Sequence, residues 1–353
     1  MKIHILFEFK DGPWGGGNQF LKALRSVLEG ENLYTHNIKT ADVVMMSNFP
    51  SGSTELFFKA LRAKKRGAKI IYRLDGLFHK NRIDDNYKGI DDVCAFFVNT
   101  FCDGVIYQTE WVKECQQNFG IDANLPCITA LNAPDASMFR KPETLPAVDN
   151  KLNVISACWA PNKRKGFEAY QWMDEHLDFT KYNVTFIGRT DGTVFKNIKH
   201  IQPLASKELA EELRKHHVFI SAAFDEPCSN SLIEAMTVGL IPIGHNSGGT
   251  PEIIGEKGEV FINPEDIPAV LSKIEMSLTD YQNKPCALPS IEKIAQEYAQ
   301  FMIHCPKRPL VDLASNQKEL LHMLSKHRLH TPLFIKKIKN ILRPIKYLFC
   351  TRH

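Results

Sequence analysis

Two carboxylates, Glu226 and Glu234, stand eight positions apart in the stretch FDEPCSNSLIEAMTVGLIPIGHNSGG, residues 224–249. Ahead of them HHVFISAAF is apolar and β-branched and reads as a buried strand. LIEAMTV reads as a helix with Gly239 at its C-cap, LIPIG as a second strand, and PEII as the opening of another helix. The order strand, turn, helix, strand, turn, helix is a parallel βαβ unit, whose ligands bind at the C-terminal ends of the strands. Glu226 then falls in the first turn, Glu234 in the first turn of the helix, and the free N–H groups around Ser229, Asn230 and Ser231 can hold a phosphate. Two ordinary roles compete with this one. Ser231-x-x-Glu234 also spells a capping box, and Glu226-Pro227 also fits a plain turn.

The elements that would position further chemistry follow in chain order. KIHILFEF reads as a strand, followed by a loop with Gly15, Gly16, Gly17 and Asn18 and a helix over QFLKALRSVLEG. A glycine loop between strand and helix can cradle phosphate, or can be a tight turn. Position 20 is Phe, which breaks G-x-G-x-x-G and leaves a dinucleotide site poorly supported. KIIYRLDGLF is a strand entering a loop at Arg73-Leu-Asp75-Gly76, where Asp75 is either a ligand contact or the start of a turn with Gly76. KLNVISACWAPNKRKGFEAY is a strand, a basic loop from Asn162 to Lys165, and a helix near Gly166. That loop is either a phosphate clamp or a solvated basic turn. KYNVTFIGRTDG is a strand ending at Gly188-Arg189.

Taken together, Glu226, Glu234, the small polar run between them, the Ser-Gly-Gly loop and Pro-Glu-Ile-Ile resemble the signature of the retaining nucleotide-sugar glycosyltransferases of family 4. The resemblance covers roughly residues 1–300 and implies the α/β GT-B architecture, two Rossmann-like domains facing a central cleft, here with a C-terminal helical basic tail. It implies that Glu226 contacts the donor sugar and its developing charge, and that Glu234 accepts hydrogen bonds from the ribose. It gives the diphosphate to Lys165, with Arg164 or Lys163 as a second cation, and to the N–H groups near Ser229–Ser231. Gly16, Gly17 and Asn18 would face the donor, Gly188 would lie near the base, Asp75 would touch the donor sugar, and Gly248 and Gly249 would let the backbone approach that sugar. Family members usually carry an Arg a few residues before the Lys-Gly pair, and Trp159 and Ala160 occupy its place here. No D-x-D occurs, which agrees with helix dipoles and cations, not a divalent metal, neutralising the leaving diphosphate. No cofactor and no nucleic-acid partner are expected. The donor would be a UDP- or GDP-sugar and the product would retain its anomeric configuration. A glycan or lipid-linked acceptor would serve the synthesis of cell-surface polysaccharide or lipopolysaccharide.

Length and composition set the frame. The 353 residues are enough for two domains, and 44% hydrophobic with 24% charged residues suits a globular protein. The expected division is an acceptor-side domain over 1–143, a donor-side domain over 144–305 and a tail over 306–353, with a hinge in KPETLPAVDNK. Nine scattered cysteines without a C-x-x-C pair suggest reduced thiols and a cytoplasmic setting, and MKIHILFEF reads as a strand instead of a signal peptide. The net charge of +4 conceals a tail with eleven lysines and arginines against two acids, so the remainder is acidic. Within the tail, residues 333–349 carry a helical apolar stripe flanked by lysines, which suits an anionic membrane surface or a last helix packed on the first domain. Two rival functions share the fold: a sugar-nucleotide epimerase or hydrolase, and a catalytically silent scaffold at the membrane. Loss of either glutamate would favour the scaffold, and both are present.

Overall fold

The structure, a computed structural model, describes residues 1–12, 15–47, 54–82, 84–160, 162–190, 192–327 and 329. The stretch 333–349, read above as a membrane-binding helix, lies outside them. No helix among the described residues is long and apolar enough to cross a membrane.

The described residues form two parallel sheets. The first contains β1 (Ile3–Leu6), β2 (Val43–Ser47), β3 (Lys69–Leu74), β4 (Gly104–Tyr107) and β5 (Cys127–Thr129), hydrogen-bonded in that order. Tyr34 bridges to Ile3 on the outer edge of β1. The helices in this half are α1 (Gly16–Gly30), α2 (Glu55–Lys65), α3 (Phe78–Arg82), α4 (Lys88–Phe101) and α5 (Glu110–Phe119). The second sheet contains β6 (Leu152–Cys158), β7 (Tyr182–Gly188), β8 (Lys199–Ile201), β9 (Val218–Ser221), β10 (Ile241–His245) and β11 (Glu259–Phe261). Its helices are α6 (Phe167–His176), α7 (Ser206–Leu213), α8 (Asn230–Thr237), α9 (Thr250–Ile254), α10 (Ile267–Met276) and α11 (Leu278–Asn283). Two more follow, α12 (Ile291–His304) and α13 (Leu313–Lys326).

The strand order of the second sheet, β11-β10-β9-β6-β7-β8, reverses between β6 and β9. At such a reversal the two outgoing loops diverge to opposite faces and leave a crevice between them. The loop after β6 carries Lys165 and the loop after β9 carries Glu226. In the first sheet β1 lies between Tyr34 and β2, so the glycine loop leaves a comparable point. Both faces of each sheet are covered by helices, which is why β2, β3 and β4 are buried at every position and read as continuous apolar runs without alternation.

The chain crosses back after the second sheet. Ile291, Ile294, Ala295, Tyr298, Ala299 and Met302 on one stripe of α12 join Phe20, Leu24 and the β1–β2 residues in a single core. Leu320 and Leu324 of α13 complete the core beneath α4. A buried ion pair fixes the crossing. Lys64 Nζ lies 2.8 Å from Asp103 Oδ1, with side-chain exposures of 1% and 0%. The same carboxylate accepts hydrogen bonds from the backbone N–H of Ile70 at 2.7 Å and of Arg308 at 2.5 Å. Removing one member of such a pair strands the other charge in the core, at a cost of about 3–5 kcal/mol. Asp103→Ala is therefore expected to lower unfolding free energy by about that amount in urea. A loss below about 1 kcal/mol, the range of an exposed pair, would show that the clamp does not secure the returning segment.

Candidate functional site

Two helix amino termini meet in the cleft. α1 begins at Gly16 and α8 at Asn230, so both end their strand-to-helix turns against one cavity of about 560 Å³. Gly15, Gly16, Gly17 and Asn18 line it from the first half of the chain. Trp159, Lys165, Gly188, Glu226, Ser229, Asn230, Ser231 and Glu234 line it from the second. Each helix start presents unpaired backbone N–H groups and about half a positive charge. The approach is close enough to select the residue type. A Cβ added to Gly16 would lie 2.3 Å from Asn230 Cβ, so any side chain at position 16 would push α1 and α8 apart.

The helix starts differ from the sequence expectation. Gly16 and Gly17 form the first turn of α1, not a loop ahead of it. Asn18 is 8% exposed and its side-chain amide is used locally, accepting from Lys10 N at 3.0 Å and donating to Lys10 O at 2.9 Å. Asn18 thereby ties the preceding strand to the helix start. In α8 the N-cap is Ser229, whose Oγ accepts from Leu232 N at 3.3 Å. The Ser231–Glu234 capping box does not form, and Glu234 lies two positions further into the helix than expected.

Glu234 therefore has no backbone to satisfy. Among the described residues no donor of the protein reaches its carboxylate, which faces the cavity. Burial without a partner pushes its pKa up to about 8. Glu226 has the opposite surroundings. Its Oε2 lies 2.6 Å from Lys165 Nζ, and the two side chains are 19% and 23% exposed. Burial alone would lower the Lys165 pKa, but the Glu226 charge outweighs it and the pKa is raised. At neutral pH the cavity thus holds a balanced Lys165–Glu226 pair, a neutral Glu234 and two positive helix ends, which favours a multiply charged anion.

Arg164, expected as a second phosphate cation, is engaged elsewhere. Its Nη2 lies 2.6 Å from Asp225 Oδ2, its Nη1 donates to Asn81 Oδ1 at 3.3 Å, and its guanidinium stacks on Phe224 at 5.3 Å. It lines a second cavity, of about 340 Å³, together with Asp75, Phe78, Asn81, Gln108, Asn162 and Asp225. Asp75 belongs to this chamber and not to the larger one, and its Oδ1 accepts from Arg73 Nη1 at 3.3 Å. Gly17, Lys165, Glu226 and Asn230 line both chambers. Gly248 and Gly249, expected to let the backbone approach the sugar, line neither. They lie behind the Glu226 loop, where added Cβ atoms would come within 2.5 Å of Glu226 N and 2.4 Å of Pro227 O, and Gly249 N donates to Glu226 O at 2.9 Å. Their smallness lets this backbone pack against the Glu226 loop.

Trp159 was read only as a missing arginine. It lines the larger cavity, approaches Gly15 across the cleft, and carries the Arg189 guanidinium 4.4 Å above its ring. The sequence places an aromatic there, but its partner comes from the end of another strand. Asn132, just after β5, is buried. Its Nδ2 donates to Asn230 Oδ1 at 3.0 Å, joining the two halves beside α8.

The Glu234 shift has a consequence for stability. An unfolded glutamate titrates near 4.5, whereas the folded carboxyl holds its proton to about 8. The folded state therefore binds more protons between those values, and its stability falls as pH rises through that window. Glu234→Gln is expected to gain melting temperature relative to the parent steadily from pH 5 to pH 8, with no further gain above. A difference independent of pH would place the carboxyl in water.

Comparison with known proteins follows from this geometry. Residues 172–280 match the family model described as glycosyl transferases group 1. No curated protein matches the chain in sequence. Among solved structures, Anabaena Alr3699/HepE in complex with UDP and glucose is similar with a TM-score of 0.60 at 12% identity, over 92% of this chain and 100% of that one. Sucrose-phosphate synthase (tll1590) from Thermosynechococcus elongatus is similar with a TM-score of 0.62 at 11% identity, over 93% of this chain and 98% of that one. WaaG, a glycosyltransferase involved in lipopolysaccharide biosynthesis, has a TM-score of 0.62 at 14% identity, over 86% of this chain and 100% of that one. The chain has the GT-B fold of these proteins, and the segment with β7 to β11 carries the match to glycosyl transferases group 1.

Proposed function

We propose that the protein is a retaining, metal-independent glycosyltransferase that moves a sugar from a nucleoside-diphosphate sugar to a glycan or lipid-linked acceptor. One observation carries the reading: two helix amino termini and Lys165 converge on one cavity whose free carboxyl, Glu234, is neutral at pH 7. That field suits a diphosphate. It holds the ground state and, more strongly, the extra charge that forms as the glycosidic bond breaks. No cofactor enters the scheme.

In this reading the diphosphate lies between the Gly16–Gly17 and Asn230–Ser231 N–H groups, with Lys165 on its oxygens. The ribose hydroxyls donate to Glu234, and Gly188 borders the base. Glu226, held by Lys165, faces the sugar and stabilises positive charge at its anomeric carbon. The acceptor enters through the second chamber, on the Asp75 side. Its hydroxyl attacks the anomeric carbon from the face the phosphate leaves. The carbon–phosphate oxygen bond breaks, the new glycosidic bond forms, and the acceptor proton passes to the departing phosphate oxygen. Configuration is retained without a covalent enzyme intermediate. Synthesis of surface polysaccharide or lipopolysaccharide, on the inner face of the cytoplasmic membrane, is the setting proposed for it.

The test is a thermal-shift panel of nucleoside diphosphates and their sugars on the parent and on Glu234→Ala. A ligand of the native state raises the melting temperature by mass action. One nucleotide class is expected to stabilise the parent and to lose most of that effect in the variant, while Glu226→Ala keeps donor binding and loses turnover. If no member of the panel shifts the parent, the scaffold reading replaces the transferase.

A second outcome follows from the ribose role. Bound hydroxyls that donate to Glu234 favour its carboxylate, so donor binding near pH 7 releases a proton. For UDP-glucose, or whichever nucleotide sugar the panel selects, affinity is expected to rise from pH 6 to pH 8 and then level. The calorimetric enthalpy should vary with the ionisation enthalpy of the buffer. Glu234→Gln should abolish both effects, and a parent that binds without proton release would remove Glu234 from the ribose.

A further inference from the structure

The loop that carries Glu226 is gripped from the other half of the chain. Thr109, at the end of β4, is fully buried and is the N-cap of α5. Its Oγ1 accepts from Val112 N at 3.2 Å and donates to Pro227 O at 3.0 Å. One hydroxyl thus starts a helix in the first half and fixes the carbonyl beside Glu226 in the second. Thr109 also packs against the backbone that supports that loop, since a Cβ on Gly249 would lie 2.7 Å from its Cγ2. At the exposed rim Glu252 of α9 adds a second tie, accepting from Glu110 N at 2.9 and 3.2 Å. Its carboxylate serves the positive end of α5 as an acid of that helix would.

We infer that Thr109 is a positioning residue, and that its bond to Pro227 O, with Glu252 on the first N–H of α5, forms a clasp that closes the cleft and orders the Glu226 loop in one step. The clasp groups lie on the Glu226 loop and on α9, which begins at the backbone that supports that loop. Pro227 follows Glu226, and Glu252 follows Gly248 and Gly249. An open cleft would separate Thr109 from Pro227 O and leave the loop without this hydrogen bond. Neither Thr109 nor Glu252 lines the larger cavity, so their part is to place Glu226, not to touch the donor. The inference extends the proposed transferase, but the geometry it describes exists without any substrate.

The experiment therefore uses no substrate. Hydrogen exchange and small-angle scattering are measured on the full chain for the parent, Thr109→Val, Thr109→Ser, Glu252→Ala, Glu110→Pro and the Glu252→Ala/Glu110→Pro double variant. Thr109→Val removes only the hydroxyl, and exchange across residues 224–230 is expected to accelerate about tenfold, the loss of one buried hydrogen bond. Protection in β9 and β10 should not change. Thr109→Ser keeps the hydroxyl and should restore the parent rate. Glu110→Pro removes the N–H that Glu252 accepts while suiting the first helical position, so it and Glu252→Ala should each raise the radius of gyration. The double variant should match the larger single effect. Unchanged loop exchange in Thr109→Val overturns the inference, as does equal acceleration in Thr109→Ser. If Thr109→Val does not fold, the rim pair decides: an unaltered radius of gyration in both variants overturns the clasp. Failure of every nucleotide to bind would refute the transferase and leave these readings intact.

Discussion

The close approach of α1 to α8 is the constraint on which the rest of the cleft depends. Two positive helix ends repel, and nothing in either helix alone would bring them together. They meet because Gly16 offers no side chain against Asn230, and because Asn132 holds Asn230 from the first half. The resulting field explains the contrast between the two carboxyls. Glu226 is balanced by Lys165, whereas Glu234, with no partner of its own, keeps its proton to about 8. A cleft with two ionised, unpaired glutamates would repel phosphate. In the free cleft one glutamate is paired and the other protonated, and in the proposed complex Glu234 gives up its proton only to ribose hydroxyls that donate to it.

Behind this contact lies a buried hub. Arg73 is 1% exposed and sits over the Phe20 ring at 4.9 Å. It donates to Tyr298 Oη at 3.2 Å, Ser47 Oγ at 3.2 Å, Asp75 Oδ1 at 3.3 Å and Asn132 Oδ1 at 2.5 Å. A single guanidinium therefore links α12, β2, the Asp75 loop and the residue that reaches Asn230. The planar fork of arginine can serve four separated acceptors, a task the compact ammonium of lysine does not match. Because Tyr298 lies on α12, the crossing of the chain back to the first half is part of the support of the cleft. The buried Lys64–Asp103 pair anchors the segment that follows α12.

Much of this was legible in the sequence, and for identifiable reasons. Apolar runs without alternation announced sheets covered on both faces. The order strand, turn, helix around Glu226 and Glu234 places Glu226 in the turn after a strand and Glu234 in the helix that follows. Helix starts were less legible because glycine is read as a breaker. Gly16 and Gly17 open α1, and at Gly16 the approach of α8 makes the lack of a side chain outweigh helix propensity. Ser229 and Ser231 are equivalent caps by type, and only the bond to Leu232 N distinguishes them. The long-range pairings were not legible at all. Asp225 takes Arg164 because Asp225 adopts φ +49°, a conformation that its residue type permits but does not announce. Thr109 reads as a helix cap, and its second bond, across 118 positions, has no local signature.

Lys165 and Glu226 form the wall shared by the two chambers, and neither would be stable there alone. An unpaired lysine would tend to lose its proton on desolvation, and an unpaired glutamate would oppose a diphosphate. As a pair they lie 2.6 Å apart, and the contact raises the Lys165 pKa against the effect of burial. In the proposed reaction an arriving diphosphate gives Lys165 a second anion to serve, which loosens its hold on Glu226. The carboxylate is then available to the sugar only when the phosphate is in place. The ion pair would thus couple occupation of the phosphate site to the charge available at the reacting carbon, and the loop that carries Glu226 needs support from outside the pair. Thr109 and the Gly248–Gly249 backbone supply that support from behind, where no substrate can displace them.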